Sequence, residues 1–265
     1  MTWQAIARKD VADSIRSQTF VLLMSGFVIL TFALSLMQYI FSDPSFEDGV
    51  GAAFGTMSFL VPIVAILLSY SAIVGERQSG SLHVLLSLPV NRKELLLGKI
   101  VGRTLSLFVP ILIGYLLVIP FLYLLYGGFA PSEYAQFLTT NLGNGILYTV
   151  LGVSVSAALT SSRRVLTALA GMFLTVYFAL YVLGDLIYWT IHRTVPETPP
   201  TWVEFIATLP PHEALANVVD ALWTQEISME APLLLQEWVS ALVFFLWLII
   251  PVVIGYVRFR NSDII

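Results

Sequence analysis

The residues that could carry chemistry are few, and their spacing excludes most reactions. A phosphate-binding loop needs GxxxxGK[ST], in which backbone N–H groups cradle the phosphates and the lysine reaches them. Gly98-Lys99 is the one Gly-Lys pair, but Lys93 stands where the first glycine belongs and Ile100 where the hydroxyl belongs. No ATPase site is therefore expected within the chain. His83, His192 and His212 are far apart, no HxxxH or HExxH spacing occurs, and there is no cysteine. That pattern gives no zinc-type ligand set. GxSxG is absent too, so serine catalysis lacks its nucleophile turn. No catalytic residue, cofactor-binding residue or metal ligand is assigned, and the chain is not expected to be an enzyme.

The informative stretch is 70–103, YSAIVGERQSGSLHVLLSLPVNRKELLLGKIVGR, which holds five of the 13 Lys and Arg residues: Arg77, Arg92, Lys93, Lys99 and Arg103. Gly75 and Gly80 punctuate its start. Leu82, Leu85 and Leu86 fall at i, i+3 and i+4, one face of a short helix. Pro89 ends that helix, because proline disfavours helical geometry in the residue before it. Asn91 with Glu94 three residues on predicts a capping box, starting a second helix at Arg92. Two readings fit: an amphipathic helix, a break and a capped re-entry into an apolar span, or a plain basic loop anchored at a lipid surface.

Composition says what surrounds this stretch. Hydrophobic residues make up 57% and charged residues 11%, with a mean hydropathy of +0.85. Soluble domains carry about 25% charged residues, so this is a membrane protein. Six runs reach the roughly 20 apolar residues that span a bilayer: about 18–41, 51–74, 101–126, 137–160, 166–189 and 237–257. Residues 1–17 alternate as an interfacial helix, with Trp3, Ile6, Ala7, Val11 and Ile15 on one side and Gln4, Arg8, Lys9, Asp13 and Arg16 mostly on the other. With the N-terminus inside, Arg8, Lys9, Arg16, Arg77, Arg92, Lys93, Lys99, Arg103, Arg163, Arg164, Arg258 and Arg260 all fall on the cytoplasmic side, and only Arg193 falls outside. The outer segments instead collect Asp43, Glu47, Asp48, Glu133, Glu197, Glu204, Glu213, Asp220, Glu226, Glu230 and Glu237. The largest, 190–236, starts extended at Pro196, Pro199 and Pro200 and predicts a helix over 212–223 with Leu215, Val218, Val219 and Leu222 on one face; residues 227–230 break it. Pro62 in the second span, and Pro110 and Pro120 in the third, predict kinks or loosened hydrogen-bond ladders. Gly152, Ser154, Ser156 and Ala157 form a small-residue face on the fourth. Asp185 is the one clear intramembrane acid; it is either functional or satisfied at the outer interface beside Tyr188 and Trp189.

Gly75-Glu76-Arg77, Gly80-Ser81-Leu82, Leu86, Pro89, Arg92 and Gly98-Lys99 together resemble the first cytoplasmic loop of ABC-2 type permeases. Ile6 to Asp10 resembles that family's N-terminal helix. Leu67 to Glu76 and the closing Ile254-Gly255-Tyr256 with Arg258-Phe259-Arg260 are similar to the permease of the Nos transporter, which serves nitrous oxide reductase maturation. The resemblance implies a single all-α, six-span transmembrane domain over 1–265 of the type V exporter kind, with a coupling loop at 75–100 and an extracellular cap at 190–236. It implies that Glu76, Arg77, Gly80, Leu82, Leu85, Leu86, Pro89 and Arg92 meet a separate ATP-binding cassette subunit that holds ATP and Mg, with the Leu82, Leu85 and Leu86 ridge entering a groove on it. It further implies a homodimer in the cell membrane with both termini cytoplasmic, whose first, second and fifth spans shift across the dimer interface. An external β-helical accessory protein is also implied, and no nucleic-acid partner is expected. Met24, Met37, Met57 and Met172 read as packing residues, so the spans do not look like a soft-ligand copper path. A lipid-like, sulfur-containing or small neutral cargo, or transmitted motion alone, fits better. The rivals are an ABC-2 exporter of a drug, lipid or ion, and a non-transporting membrane scaffold or sensor.

The charge partition gives a direct test in a chain without cysteine. A single cysteine at Ser45 or Thr198 should label from outside intact cells with an impermeant maleimide, and one at Ser79 or Ser162 should not. External labelling at Ser79 would reverse the orientation.

Overall fold

One helix, residues Pro131–Ala158, organises the others. The computed structural model describes residues 2–42, 46–87, 90–128, 131–194, 198–225 and 231–262; Asp43, Ser45, Pro89, Pro196, Glu197, Glu226 and the expected break at 227–230 lie outside them. The described chain is helical throughout: α1 Trp3–Ile15, α2 Gln18–Ser42, α3 Phe46–Ser69, α4 Val74–Gln78, α5 Ser81–Ser87, α6 Arg92–Tyr126, α7 Pro131–Ala158, α8 Ser162–Leu174, α9 Leu180–His192, α10 Thr201–Thr208, α11 Pro211–Thr224 and α12 Glu237–Asn261. A π-helical turn, Thr175–Ala179, joins α8 to α9. Helices α3, α6, α8, α11 and α12 all pack on α7.

Small residues let them approach. A Cβ at Gly255 of α12 would lie 2.6 Å from the Ser154 carbonyl oxygen and 3.0 Å from its Cα. One at Gly152 would collide with the Ser69 hydroxyl of α3. Hydrogen bonds supplement the contact. The Ser156 hydroxyl accepts from the Ile73 and Val74 backbone N–H groups at 3.1 and 3.0 Å. Asn141 Nδ2 donates to the Tyr115 hydroxyl at 2.8 Å and the Ser58 hydroxyl at 3.2 Å. The expected small-residue face therefore lies where three helices meet.

Four helical stretches among the described residues are long and apolar enough to cross a membrane, Phe20–Phe41, Gly55–Gln78, Arg92–Leu125 and Glu237–Asn261; Ser162–Ala179 with Val182–His192 makes a fifth if that bent pair is one span. The fourth expected span, 137–160, is a helix but is not among them. Its Asn141, Asn144, Thr149, Ser154 and Ser156 are buried. Protein surrounds it, and a helix shielded from lipid can hold polar side chains that find partners. Helix α3 continues through Pro62 and α6 through Pro110 and Pro120. The proline-free fifth run turns by 57° next to the π turn, a recognised source of helix kinks.

Helix α11 matches the expected helix at 212–223, with Leu215 and Val219 buried, but Leu222 is exposed. After the prolines comes α10, a helix not expected from the sequence, which packs closely on α9: a Cβ at Gly184 would already lie 3.0 Å from Val203. Replacing Gly255 with alanine should therefore push α12 off α7 and destabilise the protein by about 1–3 kcal/mol. Gly171→Ala, with nothing near its Cβ position, should be neutral or slightly stabilising. Thermal midpoints in detergent report the difference.

Candidate functional site

The stretch 70–103 folds into a knot at one end of the bundle. Gly80 has φ +77° and separates α4 from α5; a Cβ there would meet nothing within 4 Å, so the left-handed backbone alone favours glycine. Helix α6 starts as its sequence demands. The Asn91 side chain accepts from Glu94 N–H at 2.8 Å, and Asn91 N–H donates to Glu94 Oε2 at 3.0 Å.

The leucine ridge of α5 faces the protein. Leu82 is buried with Ile6, Ile73, Leu95, Leu96, Val153 and Phe259, and Leu85 and Leu86 pack on the same cluster. Leu82 is thereby closed to a groove on another subunit, while Leu85 and Leu86 keep partial exposure. The ends of α1, α6, α7 and α12 already supply apolar surface, and full burial of a leucine is worth roughly 1.5–3 kcal/mol. The outward face of α5 is His83, Val84 and Ser87, with Val84 67% exposed.

Arg77 and Arg92 hold the end of α12. Arg92 Nη1 donates to the carbonyls of Phe259, Arg260 and Ser262. Arg77 donates to the Leu159 carbonyl and the Ser262 hydroxyl, each at 3.2 Å. The Phe259 ring lies 5.9 Å from the Arg77 guanidinium and 5.3 Å from that of Arg92. The last turn of a helix has unpaired carbonyls and partial negative charge, which cations satisfy. In this chain the cations come from the loop.

A chain of buried charges joins three segments. Lys99 Nζ lies 2.5 Å from Glu76 Oε1 and 2.8 Å from Asp10 Oδ1; Arg103 Nε lies 2.8 Å from Asp10 Oδ2. Arg103 also donates to the Leu68 carbonyl at 2.9 Å. Two carboxylates and two cations balance. Helix α1 reaches them because a Cβ at Gly98 would lie 2.7 Å from Ile6 Cβ, and one at Gly102 would lie 2.8 Å from Asp10 Cβ. The buried side of α1 is thus Ile6, Ala7, Asp10 and Ser14, while Trp3 and Ile15 are exposed. The expected apolar face is rotated by this contact. The signal in the sequence was Gly98-x-x-x-Gly102 with Lys99 and Arg103 one residue after each glycine. Asp185 lies apart from this knot, exposed on α9.

The sequence profile of the ABC-2 family transporter proteins matches residues 4–264. The chain belongs to the ABC-2 family. A protein of Pseudomonas aeruginosa described as "Probable ABC transporter permease protein NosY" is 29% identical to this permease over 189 residues, covering 68% of this chain and 67% of that one. A protein of the same description from Stutzerimonas stutzeri is 34% identical over 114 residues, covering 42% and 41%. The chain is a multi-pass transmembrane permease subunit, and its family implies an ATP-binding cassette partner. Such permeases are typically non-catalytic.

Asp10→Ala should leave Lys99 with Glu76 alone, strip Arg103 of its carboxylate and lower stability by about 3–5 kcal/mol, the cost typical of breaking a buried pair. Asp13→Ala, on the exposed side of the same helix, should stay within about 0.5 kcal/mol. Denaturant midpoints of the detergent-purified permease separate the two.

Proposed function

We propose that this permease acts as a homodimer with two cassette subunits in the cytoplasmic membrane, converting their ATP-driven closure into movement of its spans. Six spans, with α7 as the protein-shielded fourth, place both termini and the 70–103 knot in the cytoplasm and the 190–236 cap outside. ATP and Mg belong to the cassettes. The observation that carries this reading is the locking of α4 and α5 to α1, α6, α7 and α12 by a shared apolar cluster and a chain of ion pairs. A force on the outward face of α5 therefore moves helix ends together instead of bending a loop.

The cassette then meets His83, Val84 and Ser87, together with the exposed Trp3 and Ile15 side of α1 where the two lie near the lipid surface. Gly80 sets the angle of α5, and Leu82, Leu85, Leu86, Glu76, Arg77 and Arg92 hold it from behind. Pro89 is assigned the break before α6 on sequence grounds. Likeness to proteins described as NosY supports service in maturing nitrous oxide reductase, with an external β-helical accessory protein at the cap. The second reading, export of another cargo by the same coupling, uses the same knot. Asp185, exposed on the bent fifth helix, is assigned to the outer interface.

Pull-down of the cassette subunit from detergent, normalised to folded permease, tests the assignment. Val84→Asp and His83→Asp should leave folded permease at wild-type level and reduce cassette recovery tenfold or more. Leu85→Asp should instead reduce the amount of folded permease. Wild-type recovery with both outward-face variants would remove the coupling role of α5.

A further inference from the structure

The end of the bundle opposite the knot holds a cleft of about 930 Å3, between the starts of α3 and α7, the π turn and α11. That volume is in the range of small-molecule sites. Its lining is one-sided in charge. Glu133, Glu213 and Asp220 contribute to it, and among the described residues no lysine or arginine does. Gln136 Nε2 donates to Asp220 Oδ1 at 3.1 Å, which orients that carboxylate.

An independent feature points to a ligand. Asn144 lines the cleft, is 1% exposed, and its Oδ1 has no hydrogen-bond partner. A buried acceptor without a donor is costly, so a ligand that brings an N–H to it recovers that loss. The wall beside it is aromatic. Tyr177 and His212 stack with ring centroids 4.0 Å apart and planes 4° apart, and Phe59 meets Tyr177 edge-on at 5.5 Å. Burial lowers the His212 pKa to about 4, so near neutral pH the imidazole adds no positive charge and its 3.7 Å approach to Glu213 is not an ion pair. No group of three or more His, Asp or Glu among the described residues has the arrangement of a metal site. Carboxylates, a dry amide carbonyl and aromatic faces suit instead a cation that carries N–H donors and an apolar stem.

We propose that this cleft binds an organic cation bearing alkylammonium or guanidinium groups, with the Glu133 and Asp220 carboxylates serving its mouth and the Glu213 carboxylate and Asn144 carbonyl oxygen its inner part, since the helical rise sets Glu133 and Asn144 about 16 Å apart on α7. The proposal rests on the function proposed above only in placing this end on the outer side. The group can arrive as a free small amine or as a basic side chain of an external protein.

Calorimetric titration of the full-length permease in phosphatidylcholine nanodiscs tests it, with agmatine as the free guanidinium and a tri-arginine peptide as the protein-borne one. Saturable binding is expected for at least one probe, weakened tenfold or more in the double variant Glu133→Gln, Asp220→Asn, and not displaced by magnesium at matched ionic strength. Asn144→Leu should weaken it similarly; should that variant fold poorly, the two carboxylate changes on partly exposed residues decide the matter. Binding of the peptide alone assigns the site to a basic segment of an external protein, and binding of agmatine shows that a free amine suffices. No saturable binding of either probe, unchanged binding in the double variant, or displacement by magnesium overturns the proposal. Cassette recovery is measured separately, so failure here leaves the coupling assignment standing.

Discussion

Lys99 is 6% exposed, and Asp10, its partner, is 4% exposed. A charge taken that far from water is tolerated only with an opposite charge in contact and hydrogen bonds for the rest of the group. Lys99 therefore needs both Asp10 and Glu76, and Asp10 in turn needs Arg103. These residues lie on α1, α4 and α6, so satisfying the charges fixes where the three segments stand. Such a network is weak evidence of net stability, since well-packed apolar residues of the same volume can do as well. Its effect is on specificity, because no register of α1 on α6 other than the one set by Gly98 and Gly102 brings Asp10 between Lys99 and Arg103.

The same requirement explains the end of α12. Four carbonyls at a helix terminus lack intrahelical donors. Arg92 provides donors to them from across the loop, while Arg77 donates to the Leu159 carbonyl just past α7 and to the Ser262 hydroxyl, with Phe259 buried beneath both. The first loop and the last helix are thus joined although most of the chain separates them. The knot end of this permease is a set of ion pairs and hydrogen bonds around a small apolar cluster.

At the opposite end the polar groups are arranged differently. Asn141 donates through Nδ2 to Tyr115 and Ser58, while its Oδ1 and that of Asn144, less than one helical turn away on α7, are both buried without a donor. One end of α7 is thus closed by Ser156 against the loop, and the other borders an open acidic cleft. Surrounding helices make both tolerable, since lipid would penalise every one of these side chains.

Local sequence determined the helices, the capping box at Asn91, the break at Gly80 and the all-α membrane class. These depend on periodicity, turn chemistry and the apolar requirement of a bilayer, which act over a few residues to about 20. The loop residues that resemble the ABC-2 family were also legible as a linear pattern. Facing was not. The leucine ridge could meet lipid, a partner or the chain itself, and only the arrival of Ile73, Leu95 and Phe259 beside it decided. The buried face of α1 was misassigned because counting apolar residues ignores a glycine stripe on another helix and a carboxylate that must lie inward. The bend in the fifth run carried no proline to announce it, and Pro62, Pro110 and Pro120 sit in helices that continue. What only the tertiary structure decided is which polar groups meet, because a buried charge or carbonyl is satisfied by whatever donor the fold brings to it, at any distance along the chain.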